Sequence, residues 1–289
     1  MKIGFHTDAF NSAFVSFRHC VDWASKNQVS CIECGMLDGV SWIHGLGYQP
    51  HVGLHEDPRE LREYMASRGV AFSQVDAAYP LSGFDGLTRG VAYIEKTIAW
   101  ASHADVAFVD TTDGLHKPEG VDEEESMRWM RLAYRRVVEV SARYHIGINI
   151  EPHGYFTTKP QYVERMLDFV DSPLLGLNMD TGNTFIAGQD PVAYLKKFIT
   201  RVKHVHVKDV SQSLADAVRG GQTGIALSHC ALGQGVNADN IRECLRLLHA
   251  HGYTGALSIE CEGQSGPMLA TSLAWLRKTL AELGIPEER

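Results

Sequence analysis

The chain has 289 residues, 44% of them hydrophobic, which is more than a minimal domain needs and suits either two ordinary domains or one large α/β barrel. Its net charge of −8, with 27 basic residues and no block of Lys or Arg, argues against a nucleic-acid or anionic-membrane surface. The opening "MKIGFHTDAF" enters a strand-like run directly, and no apolar run has the length of a signal peptide core or a membrane span, so a cytoplasmic protein is expected.

In chain order, short apolar runs alternate with longer amphipathic ones. Strand-like runs are read at 2–6, 30–35, 70–76, 106–111, 146–151, 174–180, 202–209 and 256–262. Each is rich in Val, Ile, Phe or Leu, and most end on a polar or charged residue. Helix-like segments follow at about 14–27, 57–68, 88–103, 123–144, 159–170, 190–200, 237–251 and 267–283. The fourth helix spaces Met130, Ala133, Val137 and Val140 three and four apart and carries Glu123, Glu124 and Glu125 in its first turn, where the helix dipole favours negative charge. Eight strand–helix units predict one (β/α)8 barrel spanning residues 1–289 as a single domain. The rival doubly wound sheet would want a Gly-rich phosphate turn after the first strand, and "HTDAFNS" is not one. "CIEC" at 31–34 has paired-cysteine spacing. In a strand, however, positions three apart face opposite ways, so the six cysteines are read as buried thiols.

A barrel of this kind gathers its chemistry at the C-terminal ends of the strands. Those ends carry His6 and Asp8, Glu33, Asp76, Asp110, Glu151 and His153, Asp180, His206 and Asp209, and Glu260 and Glu262. Glu151, Asp180, His206 and Glu260 come from four successive strands. Three carboxylates converging on one imidazole repel one another unless a cation joins them. Oxygen-rich ligation with one nitrogen points to Mn²⁺ first, with Mg²⁺, Co²⁺ and Zn²⁺ as alternatives. His204 shares the face of His206 one layer deeper, where a core histidine is expected. Glu262 lies farther into its loop than Glu260.

Five motifs, "NIEPHG", "NMDTGN", "HVHVKD", "LGQGVN" and "GALSIECEG", stand in order at 149–154, 178–183, 204–209, 232–237 and 255–263. With them the chain resembles, over essentially its whole length, the sugar isomerase/epimerase superfamily with a xylose isomerase-like barrel, which includes ketose 3-epimerases, hydroxypyruvate isomerase and inosose dehydratase. The resemblance implies that Glu151, Asp180, His206 and Glu260 are metal ligands and that Glu151 and Glu260 also move protons. Three positions depart from similar epimerases: Thr157 stands where they place a further Glu, Asn183 where many have His, and Gln212 where they often have Arg. In exchange the chain offers His153, whose imidazole has the right pKa to abstract a proton near neutrality.

The expected function is that of a divalent-metal-dependent isomerase or epimerase of a ketose or keto-sugar, working through a metal-stabilised enediolate with Glu151, Glu260 and His153 as catalytic residues. The alternative is a lyase using His153 as base: β-elimination on a 3-keto-glycoside, an inosose-type dehydration, or decarboxylation of a keto-acid. A remote third reading, a DNA-binding AP endonuclease, would need a multi-zinc site and a basic surface. Substrate contacts are expected from His6, Lys208, Asp110, Asn183, His116 and Trp42; Asp113 and a loop with His44, Tyr48 and His51 also stand near the mouth. The long segment 210–235 is read as a lid. A small carbohydrate is the expected partner, with no nucleic acid and no membrane, and a homo-oligomer stays open.

Overall fold

The structure, a computed structural model, describes residues 1–38, 49–263 and 265–288. All strands of the main sheet run parallel and wrap around a common axis. They are β1 (Lys2–His6), β2 (Cys31–Glu33), β5 (Ala71–Phe72), β6 (Val75–Asp76), β7 (Phe108–Thr111), β8 (Gly147–Ile150), β9 (Leu175–Asp180), β10 (Val202–Val207) and β11 (Ala256–Ile259). Two short strands outside it, β3 (Met36–Leu37) and β4 (Val52–Gly53), pair with each other. The hydrogen-bonded order is β5-β2-β1-β11-β10-β9-β8-β7-β6. Nine pieces make an eight-fold barrel because the third strand is broken: Ala71–Phe72 pairs with β2 and Val75–Asp76 with β7, with Ser73 and Gln74 between them. The seam is narrow, since Asp76 N–H still donates to Cys34 O at 2.9 Å. The run read as one strand at 70–76 is therefore two short ones.

Ten helices are described around the sheet: α1 (Phe17–Lys26), α2 (Pro58–Ala66), α3 (Val91–His103), α4 (Glu123–Tyr144), α5 (Pro160–Leu167), α6 (Thr181–Ile186), α7 (Pro191–Phe198), α8 (Gln212–Val218), α9 (Ala238–Ala250) and α10 (Gly266–Glu282). Their ends follow local chemistry. Asp57 and Asp190 cap helices that open with Pro58 and Pro191, and Asp122 Oδ1 accepts Glu125 N–H at 2.7 Å to start α4. α4 ends where His145 turns left-handed at φ 57°. α6 and α8 lie inside stretches that hydrophobic periodicity reads as loops. Both are short, and α8 buries none of its residues.

The core is continuous between strands and helices. It includes Phe5, Ile32, Val109, Ile148, Leu177, Val205 and Leu257 on the sheet, against Tyr134, Val137, Leu245 and Leu276 on the helices. All six cysteines are buried and free. No helix of the described residues is long and apolar enough to cross a membrane.

Candidate active site

The barrel interior changes character at the C-terminal ends of its strands. There it is lined by buried polar groups rather than aliphatic ones: Glu33, Gln74, Asp110, Asn149, Glu151, Asn178, Asp180, His204, His206 and Lys208. Register sets this layer. Asp76 lies opposite Asp110, Asp110 opposite Asn149, and His206 opposite Asp180.

Glu151, Asp180, His206 and Glu260 each offer one ligand atom within 4.8 Å of all the others, and all four are buried. His206 Nδ1 stands 2.8 Å from Glu151 Oε1, 3.7 Å from Asp180 Oδ2 and 4.0 Å from Glu260 Oε2. Asp180 divides its work. Its Oδ1 accepts the N–H groups of Gly182 and Asn183 at 2.6 and 2.8 Å and caps α6, while its Oδ2 accepts no hydrogen bond among the described residues. Glu260 Oε2 likewise accepts none, although Lys208 Nζ is 3.2 Å away. Buried carboxylate oxygens are costly when unmatched. Four donor atoms converging at these distances fit a divalent cation bound by three oxygens and one nitrogen.

Two further groups of possible ligands share members with the first, namely His6–Asp8–Glu260 and Glu33–His204–His206. In the first of these, His6 Nδ1 already accepts the Asp8 backbone N–H at 3.2 Å. In the second, Glu33 faces the other nitrogen of His206, Nε2, at 2.8 Å.

The electrostatics follow from burial and pairing. Burial lifts the Glu151 carboxyl, and His153 and His206 more than offset it, holding the group well below the usual carboxylate range. Burial disfavours a charged His206, and Glu33 and Glu151 override this, raising its pKa well above the ordinary value. Burial carries Glu260 to about 7, with Lys208 opposing and Asp180 adding to the effect. Asp110 is pushed well up by burial and then by Glu151 and Asp76.

His153 Nε2 lies 3.0 Å from Glu151 Oε2. The turn that carries it is built by residues outside the motif. Asp113 accepts Gly154 N–H at 3.0 Å, Phe156 N–H at 2.7 Å and Thr157 Oγ1–H at 2.6 Å. Thr157 Oγ1 in turn accepts the His153 and Gly154 N–H groups at 2.8 and 3.1 Å. Thr157 is fully buried, so the position at which similar epimerases carry a carboxylate serves the fold here. Gly154 is required by close approach: a Cβ there would meet Gly114 O at 2.3 Å.

The remaining expected contacts divide. Lys208 is buried among Glu260, Glu262 and Asn183, whose Oδ1 accepts from Nζ at 3.2 Å. Asn183 Nδ2 donates to Glu151 Oε1 at 3.4 Å. His6 sits beside His206, ring centroids 6.1 Å apart. Asp110 is buried in the layer, whereas Asp113 spends its carboxylate on the 153–157 turn, His116 is exposed, and Gln212 is exposed with its amide on Asp216 at 2.7 Å. Trp42, His44 and Tyr48 lie outside the described residues. The segment after α8 reaches two residues of the mouth: Thr223 Oγ1 and Gly224 N–H both donate to His153 O at 2.8 Å, and Ser228 N–H donates to Glu262 Oε2 at 2.9 Å. Sequence reasoning gave Glu33 and Glu262 a place at the mouth without a partner, because their partners come from distant strands.

Inosose dehydratase from Bacillus thuringiensis (strain Al Hakam) is 34% identical over 89 residues, which are 31% of this chain and 28% of that protein, so the chain spans under a third of the curated relatives it matches. Among solved structures, a D-tagatose 3-epimerase-like protein superposes with a TM-score of 0.77 at 20% identity, covering 98% of both chains. The IOLI protein, solved with a bound zinc atom, superposes with a TM-score of 0.76 at 13% identity, covering 98% of this chain and 99% of its own. These two establish likeness of fold. With the family model matching residues 22–279, the chain belongs to the xylose isomerase-like TIM barrel family.

Proposed function

We propose that the protein is a divalent-metal-dependent lyase of a neutral keto-sugar or keto-polyol, which removes a proton beside the carbonyl and expels a hydroxyl or aglycone from the next carbon. The observation that carries this reading is His153 Nε2 at 3.0 Å from Glu151 Oε2, against one member of the four-residue cluster. The 34% identity to inosose dehydratase over 89 residues supports it.

Glu151, Asp180, His206 and Glu260 would hold the cation, Mn²⁺ first. When bound, it supplies Lewis-acid polarisation of a ketone and its neighbouring hydroxyl. His153 takes the proton from the adjacent carbon, and Glu151 stabilises the imidazolium that results. The C–H electron pair becomes the C=C bond as the C–O bond one carbon further breaks, and the leaving oxygen takes a proton from the His153 imidazolium and departs as water or aglycone. Lys208, held by Glu260, Glu262 and Asn183, brings an ammonium to that charge. Carboxylates outnumber the one lysine in the layer, which supports a neutral substrate over a phosphorylated or acidic one.

The second reading, an isomerase or epimerase, is favoured by Glu151 and Glu260 both standing in the cluster, as carboxylates able to serve two faces of one carbon. Reaction in D₂O with inososes, ketoses and 3-keto-glycosides in the presence of Mn²⁺ separates the two. Loss of water or aglycone with a conjugated enone product is expected. A deuterated isomer without such loss would establish the isomerase, and no exchange with any divalent cation would remove both.

A further inference from the structure

Glu33 ends β2, is fully buried, and takes no part in the chemistry above. Its Oε1 lies 2.8 Å from His206 Nε2, the ring nitrogen opposite the one that faces Glu151, Asp180 and Glu260. Two amides also approach the ring: Asn178 Nδ2 lies 3.2 Å from Nε2 and 3.4 Å from Nδ1, and Gln74 Nε2 lies 3.5 Å from Nε2. Both present their NH₂ groups, because their oxygens are engaged elsewhere. Asn178 Oδ1 faces His204 Nδ1 at 3.1 Å, and Gln74 Oε1 accepts Asn149 Nδ2 at 3.0 Å. On that side of the imidazole, Glu33 is the carboxylate within reach: neither of its oxygens accepts a hydrogen bond among the described residues, and its 2.8 Å approach to Nε2 is an ion-pair contact. His204 does not compete for it: its Nδ1–H points to Asn178, and its Nε2 stands 3.8 Å from Glu33.

We infer that Glu33 is a positioning residue for the cation site, taking the Nε2 proton of His206 and so leaving the Nδ1 lone pair directed between Glu151, Asp180 and Glu260. A neutral imidazole has one N–H and one lone pair, and the stronger acceptor decides which nitrogen keeps the proton. Two carboxylates bid for it here at the same 2.8 Å, Glu33 at Nε2 and Glu151 at Nδ1. A proton held at Nδ1 blocks ligation; a proton held at Nε2 permits it and makes the ligating nitrogen more basic. β2 pairs with β1, and His206 rises from β10, so no local motif links the two residues.

The inference rests on reading Glu151, Asp180, His206 and Glu260 as cation ligands. Equilibrium dialysis against Mn²⁺, with the absorption spectrum of the Co²⁺-loaded protein, tests both separately. Wild type should bind one Mn²⁺ per chain. Glu33→Gln keeps an acceptor without the charge and should bind roughly 10-fold more weakly; Glu33→Leu should lose roughly 100-fold and shift the Co²⁺ spectrum. Thermal melting in EDTA identifies which variants are folded, and if Glu33→Leu is not, Glu33→Gln alone decides. Unchanged Mn²⁺ affinity and an unchanged Co²⁺ spectrum in folded Glu33→Gln would overturn the role of Glu33. A wild type that binds no divalent cation would overturn the ligand assignment, and this inference with it.

Discussion

Asp180 shows how one side chain serves the fold and the site at once. One oxygen caps α6 and the other joins the cluster, so Asp180→Asn keeps a capping oxygen while removing the charge. We predict that this variant folds and loses metal, measured by elemental analysis after dialysis, as should Glu151→Gln, His206→Ala and Glu260→Gln. Full metal in two or more of these would refute the ligand set. His153→Ala is a different case. It should retain metal and lose roughly 10²–10⁴ in turnover, the usual worth of a general base. Retained activity would return His153 to the turn it sits in. At this scale the sequence was informative because strand parity and strand ends locate side chains without tertiary knowledge: Glu151, Asp180, His206 and Glu260 are each legible one strand at a time. It placed Asp113 near the mouth but not in its actual work, since the carboxylate binds a turn some forty residues away.

Elements are placed by loops whose backbone groups are satisfied from unexpected directions. Asp209, just past β10, accepts N–H groups from Val210, Gly233, Gly235 and Asn237 at 2.8, 2.8, 2.9 and 3.0 Å. This accounts for the "LGQGVN" motif as a folded turn. A Cβ at Gly235 would meet Asp209 Oδ1 and Val210 O at 2.3 Å. Asp209→Ala orphans these donors and should cost about 2–4 kcal/mol, read by denaturant unfolding; a loss under about 0.5 kcal/mol would show that water replaces the carboxylate. Asp113→Ala should cost about as much and should also lower turnover, because it loosens the His153 turn, while Mn²⁺ affinity stays near wild type. The helices of the strand–helix units were legible from periodicity and caps, α4 at its exact span. α6 and α8 were not: six and seven residues are too few for an amphipathic period to register.

For the whole molecule, the four candidate ligands sit at the ends of β8, β9, β10 and β11, so a bound cation ties four neighbouring strands of the barrel together. A ligand that binds the folded chain alone stabilises it by mass action. Mn²⁺ at a hundredfold excess over its Kd should therefore add about 2.7 kcal/mol, and EDTA should remove it. A melting temperature that ignores both would argue against a site of this kind.

The sequence by itself determined the alternation of strands and helices, the parallel barrel that alternation demands, and the polar strand ends that become its mouth. These follow from periodicity and from where a buried run stops, which are local properties. The tertiary structure decided what the local pattern left open: the break in the third strand at Ser73 and Gln74, the use of Thr157 and Asp113 to build a turn, the loop that reaches over His153, and the pairing of Glu33 with His206. Those depend on distances between segments remote in the chain, and closing the barrel fixes them.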